Sequence, residues 1–339
     1  MMDCYRTTPF GREYTAEVPL KNGKQLNAGY SYHLYHRYDA RKLRRPPFSL
    51  KEWDFYQISD DNYVLQMTIG HVSYCGSVSA TLFSLTDERR YTLGSLPLFP
   101  RRKIKMPSDG EHPYLLKYAD GKLNMTFDVK EDVRLLTLHS EDGTVDIKVT
   151  LTNCGKGKQK TVVAIPFKKS GQFYLNYKEN CFVACADVRF GDFHVTMQKN
   201  CYGLLDWGRG VWPFKHSWTW GNGSCLADGK LFGFNIGWGF GDTSCGNENM
   251  FFYDNKAYKL DKVVRSENAD GTLRFADNNG TFDFTATRIK DNYTTTKMLW
   301  VNNACHQVFY RFCGKVVVDG KTVEIPSFVA FCEDAVNRW

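Results

Sequence analysis

Hydrophobic and polar residues alternate along most of this chain, which is the pattern of β-strands that bury one face. Residues 63–69 (YVLQMTI), 145–151 (VDIKVTL) and 281–288 (TFDFTATR) are clear examples. Residues 314–325 (GKVVVDGKTVEI) add the Asp-Gly pair of a tight hairpin. No long stretch carries the apolar stripe of an amphipathic helix. The pattern therefore predicts an all-β protein made of many short strands.

Part of this pattern occurs twice in the chain. At one constant spacing, Trp53 aligns with Trp220, and the same spacing pairs Asp39, Pro46, Ile69, Gly70, Tyr91 and Leu93 with Asp206, Pro213, Ile236, Gly237, Tyr258 and Leu260. We interpret the chain as two related β domains, residues 1–200 and 201–339, each a closed or nearly closed antiparallel barrel or a strongly curved sheet. Large barrels of this kind commonly hold a ligand in the lumen.

The composition supports a folded chain and excludes several classes of protein. Hydrophobic residues make up 42% of the sequence and aromatic residues 15%, which is enough for a substantial core. The formal net charge is +7, and basic residues cluster at 40–45, 101–105 and 156–160. None of these clusters belongs to a groove-reading motif, so we interpret them as solvated loops rather than as nucleic-acid or membrane-surface contacts. We expect no nucleic-acid partner.

The sequence also predicts a location and the absence of bound metals. It has neither a signal-peptide pattern nor an apolar run that could span a bilayer, so we expect a cytoplasmic protein that is not membrane-embedded. Its eleven cysteines show no C-x-x-C spacing, which favours small buried thiols over metal ligands. Phosphate-loop, dinucleotide and nucleophile-elbow motifs are absent from the sequence. We expect neither a metal nor a cofactor.

Residues 206–223 (DWGRGVWPFKHSWTWGNG) combine four tryptophans with an acid, an arginine and four glycines. If the last part is a regular strand, Trp218 and Trp220 share one face. The glycines beside Arg209 indicate a tight turn that brings Asp206 and Arg209 together next to the tryptophans. This corner is either an Asp–Arg clamp between domains or the mouth of a cavity lined by indole rings, and the sequence leaves both possibilities open.

Two further segments carry acids. Glu248 and Asn249 precede the apolar residues 250–253 (MFFY), where a carboxyl that pointed into a lumen would be desolvated and its pKa raised. Such a carboxyl could donate a proton, and the alternative is a loop acid bonded to nearby backbone. Glu333 and Asp334 look like a second copy of the acidic corner, for which we favour a structural role.

Four blocks of the chain resemble the domain of unknown function 2804 family: residues 51–58 (KEWDFYQI), 204–223 (LLDWGRGVWPFKHSWTWGNG), 247–260 (NENMFFYDNKAYKL) and 332–339 (CEDAVNRW). The resemblance extends over residues 29–339. More distantly, the chain resembles two-domain lipocalin-like proteins that include carotenoid hydratases and tocopherol cyclases. The resemblance implies two lipocalin-like barrels with a hydrophobic or aromatic-lined cavity, but it identifies no reaction.

Three functions are compatible with these features. The first is cofactor-free hydration, cyclisation or isomerisation of a hydrophobic small molecule, with indole faces that stabilise a carbocation. The second is a carbohydrate-active lyase or glycoside hydrolase with paired acids on a tryptophan platform. The third is a non-catalytic carrier of lipids or small molecules. We favour the first.

On the first hypothesis, Glu248 is the proton donor and Asp206 is its partner base or orienting acid. Arg209 anchors an oxygen or carboxylate of the ligand. The other predicted substrate-binding residues are Trp212, Trp218, Trp220, Asn249 and Tyr74, of which Trp218 and Trp220 form a stacking wall while Asn249 and Tyr74 supply hydrogen bonds.

Overall fold

The computed structural model describes residues 4–43, 45–46, 48–100, 103–155, 157–298 and 301–338. Four members of the basic clusters, Arg44, Arg101, Arg102 and Lys156, lie outside the described residues. Within the described ranges the chain forms 28 strands and one short 3-10 helix, Ala40–Lys42. The all-β prediction is confirmed. No helix in this part of the chain is long and apolar enough to cross a membrane.

The strands that precede the change of sheet are β1 (Tyr5–Thr8), β2 (Gly11–Tyr14), β3 (Val18–Pro19), β4 (Lys21–Asn22), β5 (Gln25–Leu26), β6 (Gly29–Ser31), β7 (His36–Arg37), β8 (Leu50–Ser59), β9 (Tyr63–His71), β10 (Gly76–Ser84), β11 (Arg90–Ser95), β12 (Tyr114–Ala119), β13 (Leu123–Val129), β14 (Arg134–Ser140), β15 (Val145–Thr152), β16 (Thr161–Pro166), β17 (Phe173–Phe190), β18 (Phe193–Met197) and β19 (Tyr202–Val211). Those that follow it are β20 (Lys215–Ala227), β21 (Lys230–Trp238), β22 (Met250–Tyr253), β23 (Lys256–Lys259), β24 (Val263–Glu267), β25 (Leu273–Asp277), β26 (Phe282–Met298), β27 (Val301–Val318) and β28 (Lys321–Arg338).

Two large sheets contain most of these strands. The second sheet has nine strands in the order β23-β22-β21-β20-β28-β27-β26-β25-β24 and curls strongly into a half-barrel. The first sheet has fifteen strands, and its main series is β11-β10-β9-β8-β19-β17-β15-β14-β13-β12. Strands β16, β6, β2 and β1 extend this sheet from the long strand β17, the β2–β6 pair is parallel, and the short strand β18 also pairs with β17. The remaining short strands form two small sheets of two strands each.

The internal repeat corresponds to a repeated antiparallel meander. In the first sheet, the pair of β8 and β9 places Trp53 opposite Gly70. In the second sheet, the pair of β20 and β21 places Trp220 opposite Gly237. A later long strand then returns to the tryptophan strand in each sheet, since β19 pairs with β8 and β28 pairs with β20. The two sheets are therefore related units, as the repeat predicted.

The position at which the chain changes sheets follows from the pairing of β19. Because this strand bonds to β17 and β8, residues 202–211 belong to the first sheet. The second sheet begins with β20 at Lys215. The chain thus changes sheets between Val211 and Lys215, whereas the domain boundary predicted from the repeat lies at residue 200.

Apolar side chains fill one face of each large sheet, here called its inner face. Leu205 and Trp207 of β19 are fully buried in the first core, and Phe232, Phe234 and Ile236 of β21 are fully buried in the second. Residues next to these in sequence point to the opposite, outer faces. The sequence suggested a ligand in a barrel lumen, but the cavity that contains the candidate site lies on those outer faces instead.

Candidate active site between the two sheets

A cavity of about 390 Å³ lies where the outer face of one sheet meets the outer face of the other. Strands β8, β17 and β19 contribute side chains from the first sheet, and strands β20, β27 and β28 contribute side chains from the second. The direction of a lining side chain such as that of Asp206 is set by its strand neighbours Leu205 and Trp207, which are buried in the first core. A cavity of this volume suits a small organic ligand.

Aromatic side chains form one wall of the cavity, and Trp212 is central to it. The ring centroid of Trp212 lies 4.8 Å from that of Trp53, 4.7 Å from that of Phe240 and 6.2 Å from that of Trp218. Trp218 and Trp220 both line the cavity from the same face of β20, as the alternation predicted. Their π-faces can stack on an apolar ligand or stabilise a positive charge.

The glycines of β19 make room for these rings. A methyl group added at Gly208 would lie 2.0 Å from the ring of Trp53, and one added at Gly210 would lie 2.4 Å from Nε1 of Trp212. Because β19 is a continuous strand, the predicted tight turn beside Arg209 is wrong. The glycines allow indole rings to approach the backbone closely, and that requirement explains why tryptophan and glycine occur together here.

Lys178 of β17 is the cation at the centre of the lining. Its Nζ lies 3.1 Å from Asp206 Oδ1 and 2.8 Å from Glu248 Oε2, and it donates a hydrogen bond to Asn176 Oδ1 at 2.5 Å. Burial alone would lower the pKa of Lys178, but the attraction of Asp206 and Glu248 outweighs that effect and raises the pKa above its ordinary value. The ammonium group therefore stays charged and links the two carboxyls.

Asp206 and Glu248, the two residues predicted to be catalytic, thus meet at Lys178. Asp206 also accepts a hydrogen bond of 2.8 Å from Trp53 Nε1. The carboxyl of Glu248 occupies the space above Gly237, where an added methyl group would lie 2.2 Å from Oε1. Gly237, which the repeat aligns with Gly70, therefore leaves room for the carboxyl of Glu248.

A third carboxyl, that of Glu333 on β28, also lines the cavity. Its Oε1 accepts a hydrogen bond of 2.9 Å from Trp218 Nε1, and its Oε2 accepts one of 3.2 Å from Gln307 Nε2 and one of 3.6 Å from Cys305 Sγ. Burial raises the pKa of Glu333 to about 7, although the hydrogen bond from Trp218 partly offsets it. Near neutral pH this carboxyl is therefore protonated in a large fraction of molecules.

Amide side chains give the cavity a polar side next to Glu333. Gln66 Nε2 donates to Gln57 Oε1 at 2.9 Å and to Gln307 Oε1 at 2.8 Å, which joins the two sheets. Asn292 Nδ2 donates to Gln307 Oε1 at 3.2 Å. The lining therefore combines an aromatic wall, a charged cluster and a set of hydrogen-bonding amides.

Arg209, the predicted ligand anchor, does not reach the cavity. Its side chain is fully buried, with Nη2 2.8 Å from Asp54 Oδ1 and Nη1 2.6 Å from the carbonyl oxygen of Trp53. Its guanidinium lies 3.9 Å from the ring centroid of Trp207 in the first core. On a regular strand, side chains three positions apart point to opposite faces, so Asp206 faces the cavity while Arg209 faces the core.

Asn249 and Tyr74 also lie outside the lining. Asn249 Oδ1 accepts a hydrogen bond of 2.7 Å from the Gly237 amide, and its Nδ2 donates one of 2.7 Å to the Asp261 carbonyl. These bonds hold the segment that carries Glu248. The Tyr74 ring packs against Lys51, whose Nζ lies 5.6 Å from the ring centroid.

Sequence reasoning missed Lys178, Trp53 and the cavity role of Glu333. Trp53 could have been found, because the repeat aligns it with Trp220. A weaker signal exists for Lys178, which lies within the mostly apolar residues 173–178 (FYLNYK), where a charged side chain needs a partner.

One sheet is a strongly curled half-barrel and the other is a larger mixed sheet, and a ligand-sized cavity lies between them, so the chain belongs to the class of all-β proteins built from two large sheets. Within this class the chain belongs to the domain of unknown function 2804 family, whose model matches residues 11–339. No curated protein matches the chain.

Solved structures share this fold. One is kievitone hydratase from Nectria haematococca, with 12% identity, a TM-score of 0.50, and coverage of 84% of this chain and 88% of that chain. Another is CghA, solved with Sch210972, with 10% identity, a TM-score of 0.51, and coverage of 84% and 87%. A third is an AttH candidate from Nitrosomonas europaea, with 11% identity, a TM-score of 0.50, and coverage of 94% and 98%. At these identities the similarity concerns the fold.

Proposed function

We propose that this protein binds a hydrophobic small molecule between its two sheets and transforms it by acid/base chemistry of its own side chains, without a cofactor. The observation that carries the proposal is that one cavity unites an aromatic wall with three carboxyls and the buried Lys178. A proton donor and a proton acceptor are thus available around one ligand. The likeness in fold to kievitone hydratase, which is named for a hydration reaction, supports this class of chemistry.

In this proposal Glu333 is the proton donor. A donor must hold its proton before the reaction, and the pKa of Glu333 is raised by burial to about 7. Its hydrogen-bond donors, Trp218 and Gln307, are neutral side chains. Glu248, the donor predicted from the sequence, lies instead 2.8 Å from the ammonium of Lys178, an arrangement that suits a carboxylate.

Asp206 is the proposed base, with Lys178 as the group that holds it in place. In a hydration, the proton of Glu333 bonds to one carbon of a carbon–carbon double bond, and the aromatic wall stabilises the cation that forms at the other carbon. Water then adds to that carbon, and its surplus proton passes to Asp206. Isomerisation and cyclisation begin with the same protonation, but they end with loss of a proton from carbon.

The test begins with the compound that purifies with the protein, identified by native mass spectrometry and organic extraction. This compound is then incubated with the protein in oxygen-18 water, where hydration incorporates the label. In deuterated water, isomerisation and cyclisation incorporate deuterium without oxygen. We expect Glu333→Gln to reduce the rate by about 10²–10⁴-fold. The Glu333→Gln variant should still bind the ligand, as measured by quenching of the fluorescence of the cavity tryptophans.

Glu248→Gln is the matched control. It also replaces one cavity carboxyl by an amide, but it leaves the proposed donor in place, so its rate should fall less than that of Glu333→Gln. A larger loss in Glu248→Gln would return the donor role to Glu248. If both variants bind the compound as the wild type does, and the wild type leaves the compound unchanged, the protein is a carrier.

The amide side of the cavity favours a carbohydrate as the second candidate ligand. Gln66, Gln307 and Asn292 present the groups that bind sugar hydroxyls, and the tryptophans present faces on which a pyranose can stack. In that case two carboxyls would cleave a glycosidic bond. Release of new reducing ends from an oligosaccharide panel, lost in Glu333→Gln, would favour this candidate over the first.

A further inference from the structure

We propose that this protein docks reversibly on anionic membrane surfaces through four exposed apolar side chains, which we call the apolar patch. They are Phe48, Leu96, Leu98 and Phe99, and 55%, 59%, 69% and 64% of their surface, respectively, is exposed. Large apolar side chains that cluster on a surface commonly mark an interaction site. All four lie in loops, outside the two cores.

The loops that carry the patch contact each other and hold the rings outward. The ring centroids of Phe48 and Phe99 are 6.0 Å apart, although the two residues are distant in sequence. Both have positive φ angles, 59° for Phe48 and 47° for Phe99, which are strained values for bulky residues. The Phe99 amide also donates a hydrogen bond of 2.9 Å to the Tyr74 carbonyl, so the strained loop is fixed in place. The surrounding structure thus holds two exposed aromatic residues, Phe48 and Phe99, in strained backbone conformations, which suggests that they have a function.

The charge around the patch complements an anionic surface. Residues 40–51 and 90–107, which include both loops, contain no aspartate or glutamate. Among the described residues, Lys42, Lys103 and Lys105 are exposed in these segments. Exposed apolar side chains in segments that also carry basic residues and no acidic ones are typical of peripheral proteins that insert into the headgroup region of anionic membranes. Two of the basic clusters interpreted above as solvated loops therefore gain a role in docking.

The patch is also attached to the strand that leads to the cavity. The Gly76 amide donates a hydrogen bond of 2.8 Å to the Pro97 carbonyl, within the patch loop. Gly76 begins β10, and the next residue, Ser77, lines the cavity. If the proposed function holds, a lipophilic compound in the membrane would be released close to the cavity. The docking itself does not depend on that function.

The test is co-sedimentation of the full chain with phosphatidylcholine vesicles that contain or lack phosphatidylserine. We expect binding to the anionic vesicles that weakens as salt is added, and weaker binding to the neutral ones. The triple variant Phe48→Ser/Leu98→Ser/Phe99→Ser should lose about tenfold or more in affinity. Lys103→Glu/Lys105→Glu, which leaves the apolar side chains intact, should lose the preference for anionic vesicles.

Leu226→Ser is the matched control, since Leu226 is 50% exposed on β20 of the second sheet, outside the patch. It should bind vesicles as the wild type does. The proposal is overturned if the wild type does not sediment with anionic vesicles, or if both patch variants bind as the wild type does. It is also overturned if light scattering shows a concentration-dependent dimer that the triple variant abolishes, because a second copy of the chain would then cover the patch.

Discussion

Strand β17 carries two buried charges side by side, and they belong to different environments. Glu179 points into the first core, where Arg134 Nη2 lies 2.6 Å from its Oε2 and Lys158 Nζ lies 3.4 Å from its Oε1. Lys178 points to the opposite side, into the cavity between the sheets, where it meets Asp206. Two adjacent residues of one strand thus lie in different environments: Glu179 in a closed core and Lys178 beside an open cavity.

The difference between these two sites lies in the space around them. In the core, side chains such as Tyr177, whose hydroxyl donates a hydrogen bond of 2.8 Å to Glu179 Oε2, pack against the charges on every side. In the cavity, a volume of about 390 Å³ borders the charges and can admit a ligand or water. We therefore expect that removing a partner from a core ion pair destabilises the fold, and we propose that the charges beside the cavity take part in chemistry.

The largest expected difference is in the cost of removing a cation. Arg209→Met leaves Asp54 without its cation in the core, so we expect the free energy of unfolding to fall by about 3–5 kcal/mol. Lys178→Met leaves carboxyls that cavity water can solvate, and we expect a loss of about 1–2 kcal/mol. Urea denaturation of both variants measures the two values. Equal losses of unfolding free energy in the two variants would show that the two environments do not differ. If Arg209→Met were stable but lost ligand affinity, the predicted role of Arg209 as a ligand anchor would be restored.

The next effect is the pH dependence of stability that Glu333 causes. Its pKa is raised from 4.5 to about 7 by burial, so between these values the native state keeps a proton that the unfolded state has released. The free energy of unfolding should therefore fall by about 3 kcal/mol as the pH rises from about 4.5 to about 7. Above this range the contribution of Glu333 should not change further. Glu333→Gln should lack this slope. The difference in free energy of unfolding between wild type and variant, measured across this range, checks it, and parallel curves would contradict it.

A smaller effect is expected on the pKa of Glu333 when the tryptophan wall is altered. Trp218→Phe keeps an aromatic ring at this position but removes the hydrogen bond of 2.9 Å that Trp218 Nε1 donates to Glu333 Oε1. That hydrogen bond favours the ionised form of the carboxyl. We expect the pKa of Glu333 to rise further, by roughly one unit. A carboxyl NMR titration of labelled glutamate, assigned with Glu333→Gln, measures the shift. Trp53→Phe, which loses its bond to Asp206 instead, is the control and should leave the titration of Glu333 nearly unchanged.

The smallest effect is expected for Tyr74→Phe. Tyr74 lies outside the cavity and packs against Lys51, so removal of its hydroxyl should change the free energy of unfolding by less than about 0.5 kcal/mol. Ligand affinity, measured by tryptophan fluorescence, should remain the same. Binding that weakens several-fold would place Tyr74 among the substrate-binding residues, as the sequence suggested.

Predictions made from the sequence succeeded where the signal was local or repeated. Strand alternation correctly placed Trp218 and Trp220 on one face, and the repeat correctly related β8 and β9 to β20 and β21. The error at residues 206–210 arose because glycine permits both tight turns and close contacts with rings. The positions of Trp53, which belongs to a strand far away in sequence and approaches Gly208, and of Trp212, which approaches Gly210, decide between these uses.

The sequence by itself therefore determined the strands, their repeat and which neighbouring side chains share a face, because these properties depend on short-range alternation of residues. The tertiary structure decided which face is a core and which is a cavity, because that choice depends on how two sheets pack together. For this reason Lys178, Asp206 and Glu333 come together from three strands of two sheets, while Arg209, three positions from Asp206, stabilises the fold. Contacts between sheets leave no periodic signal in a single sequence, so they had to be read from the structure.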